Sequence, residues 1–335
     1  MSCWRKNESA MGFKTNVCEK EWGQLSSVNN AHARDSRFRP RIEEIRSKRV
    51  NLFDKELKRQ QATISRLEKI EVHYEGHPEN TTVIMNKGIS TPFNCAQHIS
   101  ELLMNRSIVA EVDGELWDMH RPLENNCTLR LLHVKVADSH HAALVNKTFW
   151  RSCSFILGGV IENSFRDEIP VVLHSFPSAN VRSGSFVYDV QLGLACWEPK
   201  QNEFRMLGAS FAKFCQNPRK IQRLDVSESL ALEIFRDNVF KSEQIPHIAA
   251  KSSSKQSVPL YRVGDHIDIS VGPMISSTDQ IGRCSITAVS LSLKNEVHKL
   301  DGLYRFQGVA LPSDLFLNSF AYGILESRAR KLNEG

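Results

Sequence analysis

The sequence lacks the features that mark several common classes of protein. It has no run of about 18 apolar residues, the minimum for a membrane-spanning helix, so we expect no membrane span. Its eight cysteines form no C-x-x-C pair and follow no secretory signal, a pattern typical of reduced and buried thiols. With 41% hydrophobic residues in a chain of 335, the composition predicts an ordinary globular protein with a sizeable core.

The motifs of nucleotide-binding and acyl-transfer enzymes are missing as well. The chain has no G-x-x-x-x-G-K-[ST] phosphate loop, no G-x-G-x-x-G after a strand and no G-x-S-x-G nucleophile turn. His73 and His77 have a helical ligand spacing, but they flank a strand end and a turn, where that spacing does not bring side chains together. His140 and His141 are predicted to be a surface doublet. We therefore expect no catalytic residue, no metal site and no cofactor.

The excess of positive charge lies near the N-terminus. Lys and Arg exceed Asp and Glu by 43 − 38 = 5, and residues 1–50 hold 11 of the former against 6 of the latter, so they supply the whole excess. Such a segment is typical of an organelle transit peptide, whereas Glu8, Glu19 and Glu21 oppose one because these peptides are poor in acids. Residues 1–36 have no sustained apolar period, and both interpretations of them stay open.

An amphipathic helix is predicted after Pro40. Its apolar side chains recur at helical spacing, at Ile42, Ile45, Leu52, Phe53 and Leu57. Its cations, assigned to the opposite face, are Arg46, Lys48, Arg49, Lys55, Lys58 and Arg59. A charged face of this kind is ordinarily a solvated surface. The alternative is an arm that binds an RNA backbone by releasing counterions, for which the candidate contacts are Arg46, Lys48, Arg49, Lys58 and Arg59.

Residues 69–136 have the pattern of a small β-grasp domain. Two strand-like runs, KIEVHY and TTVIMN, flank the turn-like GHPEN. Thr91-Pro92 then opens a helix that is predicted to continue through FNCAQHISELLMNR. A hairpin centred on Asp113-Gly114 and the strand CTLRLLHV complete the ββ-α-ββ-β order.

Residues 137–311 are predicted to form a larger α+β domain. A buried helix is predicted for FWRSCSFILGGVIENSF, in which Gly158 and Gly159 permit close packing. A second helix, capped by Ser227, is predicted for SESLALEIFRDN. Strands are predicted at VVLHSF, SFVYDVQLGLA, LYRVGDHIDIS and CSITAVSLSL, and AAKSSSKQS is predicted to be a polar loop.

Helical extensions flank the two domains. Residues 1–68 form the basic N-terminal extension with its predicted helix, and residues 312–335 form a helical tail. The tail helix is predicted to start directly after Pro312, with Ser313 or Asp314 as its N-cap.

Five groups of segments, in the right order, resemble the N-terminal part of threonyl-tRNA synthetases. KIEVHY, the helix after Thr91-Pro92 and VDGELWDMHRPLENNCTLRLL resemble the family's TGS domain. FWRSCSFILGGVIE, RLDVSESLALEIFRDN and YRVGDHIDISVGPMISST are similar to its editing domain, and LYRFQGVALP to the entry into its catalytic core. The resemblance covers residues 69–311 and implies a TGS-like β-grasp domain followed by an editing-like α+β domain.

The chain departs from that family at the metal ligands. In the family, two histidines four apart on a helix face a cysteine and a histidine four apart on a loop. The resemblance assigns these positions to Arg151, Phe155, Ser270 and Met274. Guanidinium and phenyl groups offer no lone pair to a metal, and a hydroxyl or a thioether is a poor ligand for zinc. The change implies that editing is lost, and the 24 residues of 312–335 are too few for a synthetase catalytic core.

A narrower resemblance gives the expected function. The runs FWRSC, R-x-G-D-x-I-D and RFQGVALP, with the basic NLFDKE helix, resemble a synthetase-derived family of structural proteins in the mitochondrial large ribosomal subunit. This implies a non-enzymatic protein of the mitochondrial matrix that binds mitochondrial ribosomal RNA and other large-subunit ribosomal proteins, with no small-molecule substrate. The alternative is a free-standing tRNA-binding or trans-editing factor derived from threonyl-tRNA synthetase.

Overall fold

The computed structural model of the protein describes the following residues: 42–64, 66–135, 138–194, 197–252, 257–291 and 302–333. Within these ranges the chain forms eight α-helices and twelve β-strands. None of these described helices is both long and apolar enough to traverse a bilayer. The transit segment considered for residues 1–36 lies outside the described residues.

The N-terminal helix, α1 (Ile42–Ala62), confirms the helix predicted after Pro40. Phe53 is fully buried, in a cluster with apolar side chains from residues 224–269. The buried face also contains Arg46 and Arg49, which are 4% and 5% exposed. The expectation that every cation of the helix lies on its outer face is therefore wrong for these two arginines.

The first sheet has five strands in the order β2-β1-β5-β3-β4. β1 pairs with β5 in parallel, and the other pairs are antiparallel. Its strands are β1 (Lys69–Tyr74), β2 (Thr81–Asn86), β3 (Val109–Val112), β4 (Glu115–Trp117) and β5 (Cys127–Leu132). This mixed sheet and the helical segment between β2 and β3 confirm the predicted β-grasp fold.

Two local predictions in this sheet have different outcomes. Asp113 and Gly114 do form the hairpin turn, both with positive φ (50° and 84°), the conformation that a tight two-residue turn requires. The helix after Thr91 is not continuous, because Ser100 is extended and separates α2 (Pro92–Ile99) from α3 (Glu101–Arg106). Ser100 ends the first helix, and its hydroxyl accepts a hydrogen bond from the Leu102 N–H at the start of the second.

The second part of the chain contains two sheets. An antiparallel four-stranded sheet has the order β11-β12-β7-β6, and a three-stranded sheet has the order β10-β9-β8. The strands of the former are β6 (Val171–Ser175), β7 (Phe186–Leu192), β11 (Ile281–Leu291) and β12 (Leu303–Pro312). Those of the latter are β8 (Gln222–Ser227), β9 (Ser257–Val263) and β10 (His266–Ile269).

The long helix α4 (Ser139–Ser164) lies between these two sheets. A Cβ on Gly158 would come within 2.6 Å of the Tyr188 ring, and one on Gly159 within 2.7 Å of His266. The prediction that these glycines permit close packing is therefore confirmed. The other helices of this part are α5 (Gln201–Gln216), α6 (Glu228–Ile234), with Ser227 as its N-cap, and α7 (Val239–Lys251).

The C-terminal helix, α8 (Ser319–Ala329), starts later than predicted. Asn318 is its N-cap and accepts a hydrogen bond from the Ala321 N–H. The expected start near Ser313 or Asp314 is wrong, because β12 continues to Pro312 and a turn follows it. Tyr322 is the buried anchor of this helix, and its ring lies under the guanidinium of Arg283 at 3.8 Å.

Candidate functional site

Two of the four assigned ligand positions, Arg151 and Phe155, lie on α4, and the other two, Ser270 and Met274, lie in the loop after β10. Arg151 Nη1 donates to the carbonyl oxygen of Pro273 at 3.1 Å, one residue before Met274. Met274 is 1% exposed, and the Ser152 hydroxyl lies 3.5 Å from its sulfur. Helix α4 and this loop are thus in direct contact through Arg151 and Ser152.

The other two assigned positions, Phe155 and Ser270, also make contacts within the fold. Phe155 is fully buried, with its ring centroid 4.8 Å from that of His266 and 6.4 Å from that of Tyr261. The Ser270 hydroxyl accepts a hydrogen bond from the Gly272 N–H at 3.3 Å within the loop. The four assigned positions therefore hold an aromatic ring, a loop hydroxyl, a thioether and a guanidinium, whereas a zinc site would need imidazole or thiolate donors.

A buried carboxylate that the sequence did not reveal joins this loop to the first sheet. Asp118, directly after β4, accepts from the Met274 N–H at 2.8 Å and from the Tyr261 hydroxyl at 2.7 Å. Arg223 Nη1 lies 3.5 Å from the same carboxylate. Burial raises the pKa of Asp118, although the Met274 N–H and Arg223 oppose that rise. Its partners come from 105 to 156 positions away in sequence, so no local motif could have indicated it.

Helix α1 is held by a second buried cluster of charges. Glu162 of α4 pairs with Arg46 at 3.3 Å and with Arg49 at 3.4 Å, and Arg49 also pairs with Asp237. Burial favours the neutral acid, yet His266 and the two arginines outweigh it and hold the pKa of Glu162 at about 2. Arg46 and Arg49, two of the five candidate RNA contacts, are therefore engaged inside the protein.

The other three candidates lie on the outer face of α1. Lys48, Lys58 and Arg59 are all exposed, and Arg59 forms a salt bridge with Glu56 at 2.7 Å. Such an exposed pair contributes little to stability and is easily exchanged for another anion. The outer face thus offers cations that an RNA backbone could reach.

The histidine doublet has partners of its own. His141 Nε2 lies 3.0 Å from Glu111, and His141 Nδ1 lies 2.8 Å from the N-cap carboxylate of Asp138. Asp138, His140 and His141 are the only group of three possible metal ligands in the described part of the chain. These contacts cap α4 and tie it to the first sheet, which explains the cluster without a metal.

An apolar surface remains exposed at the C-terminus. Phe316, Phe320 and Ile324, spaced four apart, are 91%, 81% and 57% exposed. The C-terminal apolar surface is formed by these three with Leu315 and Leu317. Contiguous exposed apolar side chains on a folded protein are typical of a contact with another molecule.

Comparison with known proteins gives two groups of relatives. The family model of the TGS domain matches residues 77–133. Large ribosomal subunit protein mL39 of Drosophila melanogaster is 48% identical over 286 residues, which are 85% of this chain and 84% of that protein. Probable threonine–tRNA ligase 1, cytoplasmic, of Dictyostelium discoideum is 27% identical over 76% of this chain. The mitochondrial threonine–tRNA ligase of Rattus norvegicus is 29% identical over 72% of it. The chain spans about a third of the two ligases, 33% and 31%.

The fold and the site define a threonyl-tRNA synthetase-like protein with a TGS domain and, at the assigned ligand positions, side chains unsuited to zinc. Within that class, the chain belongs to the family of large ribosomal subunit protein mL39. This membership confirms the resemblance found in the sequence. It also bears out the expectation that the chain is not an enzyme, since the relative is named as a ribosomal protein.

Proposed function

We propose that the protein is a structural constituent of the mitochondrial large ribosomal subunit and resides in the mitochondrial matrix. The observation that carries the proposal is the 48% identity to mL39 over 85% of the chain. In this role the protein acts without catalysis, metal or cofactor. Residues 69–136 and 137–311 serve as two domains, and residues 1–68 and 312–335 serve as extensions that make further contacts.

Ribosomal RNA is the first class of partner. Lys48, Lys58 and Arg59 on the outer face of α1 are free to approach phosphates, while the inner face of the helix is fixed to the domain core. Cations of this kind position a protein on an RNA backbone and do not read its sequence.

Neighbouring ribosomal proteins are the second class. The C-terminal apolar surface exposes two phenylalanine rings, Phe316 and Phe320, beside the well-packed anchor Tyr322. An RNA backbone offers such rings little apolar surface, whereas a protein neighbour would cover them. The apolar surface therefore favours a protein contact at this end of the chain.

The four assigned ligand positions have a structural role in this proposal. Arg151 and Ser270 make hydrogen bonds within the fold, and Phe155 and Met274 are buried apolar groups. Of the four, Arg151 joins α4 directly to the loop after β10.

The proposal is tested by sedimentation of mitochondrial lysate that contains the tagged full-length chain. We expect the protein to move with the large subunit at physiological salt and to stay with it after the subunits are separated at low magnesium. Recovery of the protein only at the top of the gradient, with intact large subunits further down, would contradict the proposal.

A further inference from the structure

The loop at Pro273–Ser277 is bordered by cations from three separate parts of the chain. Arg151 of α4 donates to the carbonyl of Pro273. Lys220, just before β8, forms a β-bridge with Ser277. Arg121 follows β4 in the segment that holds the same loop through Asp118. We call these three residues, Arg121, Arg151 and Lys220, the loop cations.

None of the loop cations forms a salt bridge in the described part of the chain. In the described part of the chain, no carboxylate oxygen lies within 4.0 Å of the charged nitrogens of Arg121, Arg151 or Lys220. The nearby carboxylate of Asp118 is saturated by the Met274 N–H, the Tyr261 hydroxyl and Arg223. Asp225 is likewise engaged by Arg223, at 3.0 Å.

The surroundings of two loop cations disfavour positive charge. Burial lowers the pKa of Arg121, and the neighbouring Arg223 lowers it further. Burial also lowers the pKa of Arg151. His120 adds no compensating charge, because burial and Lys220 bring its pKa to about 4, which leaves it neutral at pH 7. Asp225, Asp118 and Glu124 raise the pKa of Arg121, and Asp118 raises that of Arg151, but burial outweighs them in both cases.

The side chain of Arg121 is held in position before any ligand binds. Its guanidinium carbon lies 3.6 Å from the centroid of the Trp117 ring, and the Trp117 Nε1–H donates to the carbonyl oxygen of Arg121 at 3.1 Å. This contact holds the guanidinium against the ring and reduces the entropy lost when it binds a phosphate. A planar guanidinium held in this way is well suited to bidentate phosphate contacts.

We propose that the loop cations and the Pro273–Ser277 loop form a phosphate-binding surface for single-stranded RNA, separate from α1. The choice of RNA rests on the proposed function, which gives the protein ribosomal RNA as its partner. Three cations around one loop would attract the phosphates of a nucleic-acid backbone, and the exposed side chain of Val271, two residues before the loop, offers an apolar contact for a base or ribose. The surface provides affinity without sequence selection.

The test measures binding of the full-length protein to a fluorescein-labelled 12-nucleotide oligouridylate by anisotropy at several salt concentrations. The variant carries Arg121→Gln, Arg151→Gln and Lys220→Gln. Its control has the same charge loss at exposed positions away from the loop, Arg182→Gln, Arg205→Gln and Lys251→Gln. Loss of three phosphate contacts should reduce the slope of log affinity against log salt by about 2, and affinity at 0.1 M salt roughly 100-fold. The control should keep the wild-type slope.

Two further measurements distinguish a failure of the phosphate-binding surface from poor folding and from a failure of the proposed function. Lys220→Glu changes one exposed side chain, so it should keep the wild-type melting temperature while weakening RNA binding, even if the triple variant folds poorly. Equal slopes for wild type, loop variant and control would overturn the phosphate-binding surface. If that result came with normal sedimentation of the wild type with the large subunit, the proposed function would stand. Absence of the wild type from the large subunit would instead overturn the proposed function.

Discussion

Arg46 and Glu162 join the N-terminal helix to the longest described helix of the molecule, although 116 positions separate them in sequence. Arg46 Nε lies 3.3 Å from Glu162 Oε2, and Arg46 Nη2 donates to the carbonyl oxygen of the same residue at 2.8 Å. Both side chains are less than a tenth exposed. A guanidinium that binds a side chain and the backbone of one residue fixes the rotation of α1 about its axis, and so determines which cations face outward.

Replacement of that carboxylate should strongly destabilise the protein. Glu162→Gln leaves the buried guanidinium groups of Arg46 and Arg49 without their shared anion. Loss of one partner of a buried ion pair costs about 3–5 kcal/mol. We expect that loss in urea unfolding monitored by circular dichroism. A variant with wild-type stability would show that the cluster contributes nothing.

The same carboxylate predicts a pH dependence. Its pKa is about 2 in the folded protein and near 4.5 when exposed, so the stability it contributes is present above pH 4.5 and is lost as pH falls toward 2. The contribution amounts to about 3 kcal/mol. The difference in unfolding free energy between wild type and Glu162→Gln should therefore be constant from pH 5 to 7 and shrink below about pH 4.5. A difference that grows toward low pH would contradict this assignment.

The two faces of α1 should respond differently to loss of charge. Lys48→Gln, Lys58→Gln and Arg59→Gln together should leave the melting temperature within about 2 °C but reduce the salt slope of RNA binding by about 2. Arg46→Gln should instead lower the melting temperature and leave that slope unchanged. Thermal unfolding and anisotropy on the same preparations compare the two. Equal salt slopes for the outer-face variant and the wild type would show that the outer face is only solvated.

The hydrogen bonds of Asp118 are expected to couple the first sheet to the loop after β10. Tyr261→Phe removes the hydroxyl that donates to Asp118 at 2.7 Å and leaves a buried acceptor without that donor. We expect a loss of about 1–3 kcal/mol and faster amide hydrogen exchange in residues 270–276. Tyr74→Phe, whose hydroxyl donates to the His77 carbonyl within the first sheet, is the matched control. Faster exchange at 270–276 in both variants would argue against a specific link.

The C-terminal apolar surface can be tested in the assembled subunit. Phe316→Ser with Phe320→Ser should change the stability of the isolated protein by less than about 0.5 kcal/mol, since both rings are exposed. The pair should reduce the fraction of protein that sediments with the large subunit. Ile84→Ser with Leu102→Ser, at 56% and 61% exposure in the first sheet domain, provides the control. Undiminished incorporation of the phenylalanine variant would rule out a protein contact there.

The editing alternative makes its own prediction. Arg151, Phe155, Ser270 and Met274 give zinc no imidazole or thiolate, so the purified protein should hold no stoichiometric zinc. It should also not accelerate the deacylation of seryl-tRNA above the rate in buffer. Elemental analysis and a deacylation assay with a threonyl-tRNA synthetase as positive control measure both. Appreciable hydrolysis by the purified chain would favour the trans-editing alternative.

The sequence predicted individual turns and helix caps well where their conformation depends on residues close by in the chain. The Asp113-Gly114 turn and the Thr91 cap depend on residues a few positions apart, and the structure confirms both. The start of α8 failed because Ser313, Asp314 and Asn318 are all good N-cap residues. Which of them caps the helix depends on how far β12 extends through its pairing with β11.

The burial of two arginines of α1 was missed for the same reason, because it depends on residues far away in the sequence. Arg46, Arg49 and Phe53 follow a helical period that places them on one face, yet arginines are ordinarily solvated, so the pattern favoured the outer face for both. Their burial depends on Glu162 and Asp237, more than 110 positions away. The four assigned ligand positions were found through family resemblance, whereas Asp118 had no signal of either kind.

The anchoring of α1 also has a consequence for the order in which the chain is made. The helix is synthesised early, but its partners follow much later, with Glu162 116 positions after Arg46 and Arg262 208 positions after Asp54. Until Asp237 and Asp265 have emerged, Arg46 and Arg49 have no complete set of counter-charges. In a newly made N-terminal segment Arg46 and Arg49 are thus not yet paired with these acids, and the division of α1 into an inner and an outer face is a late event in biosynthesis.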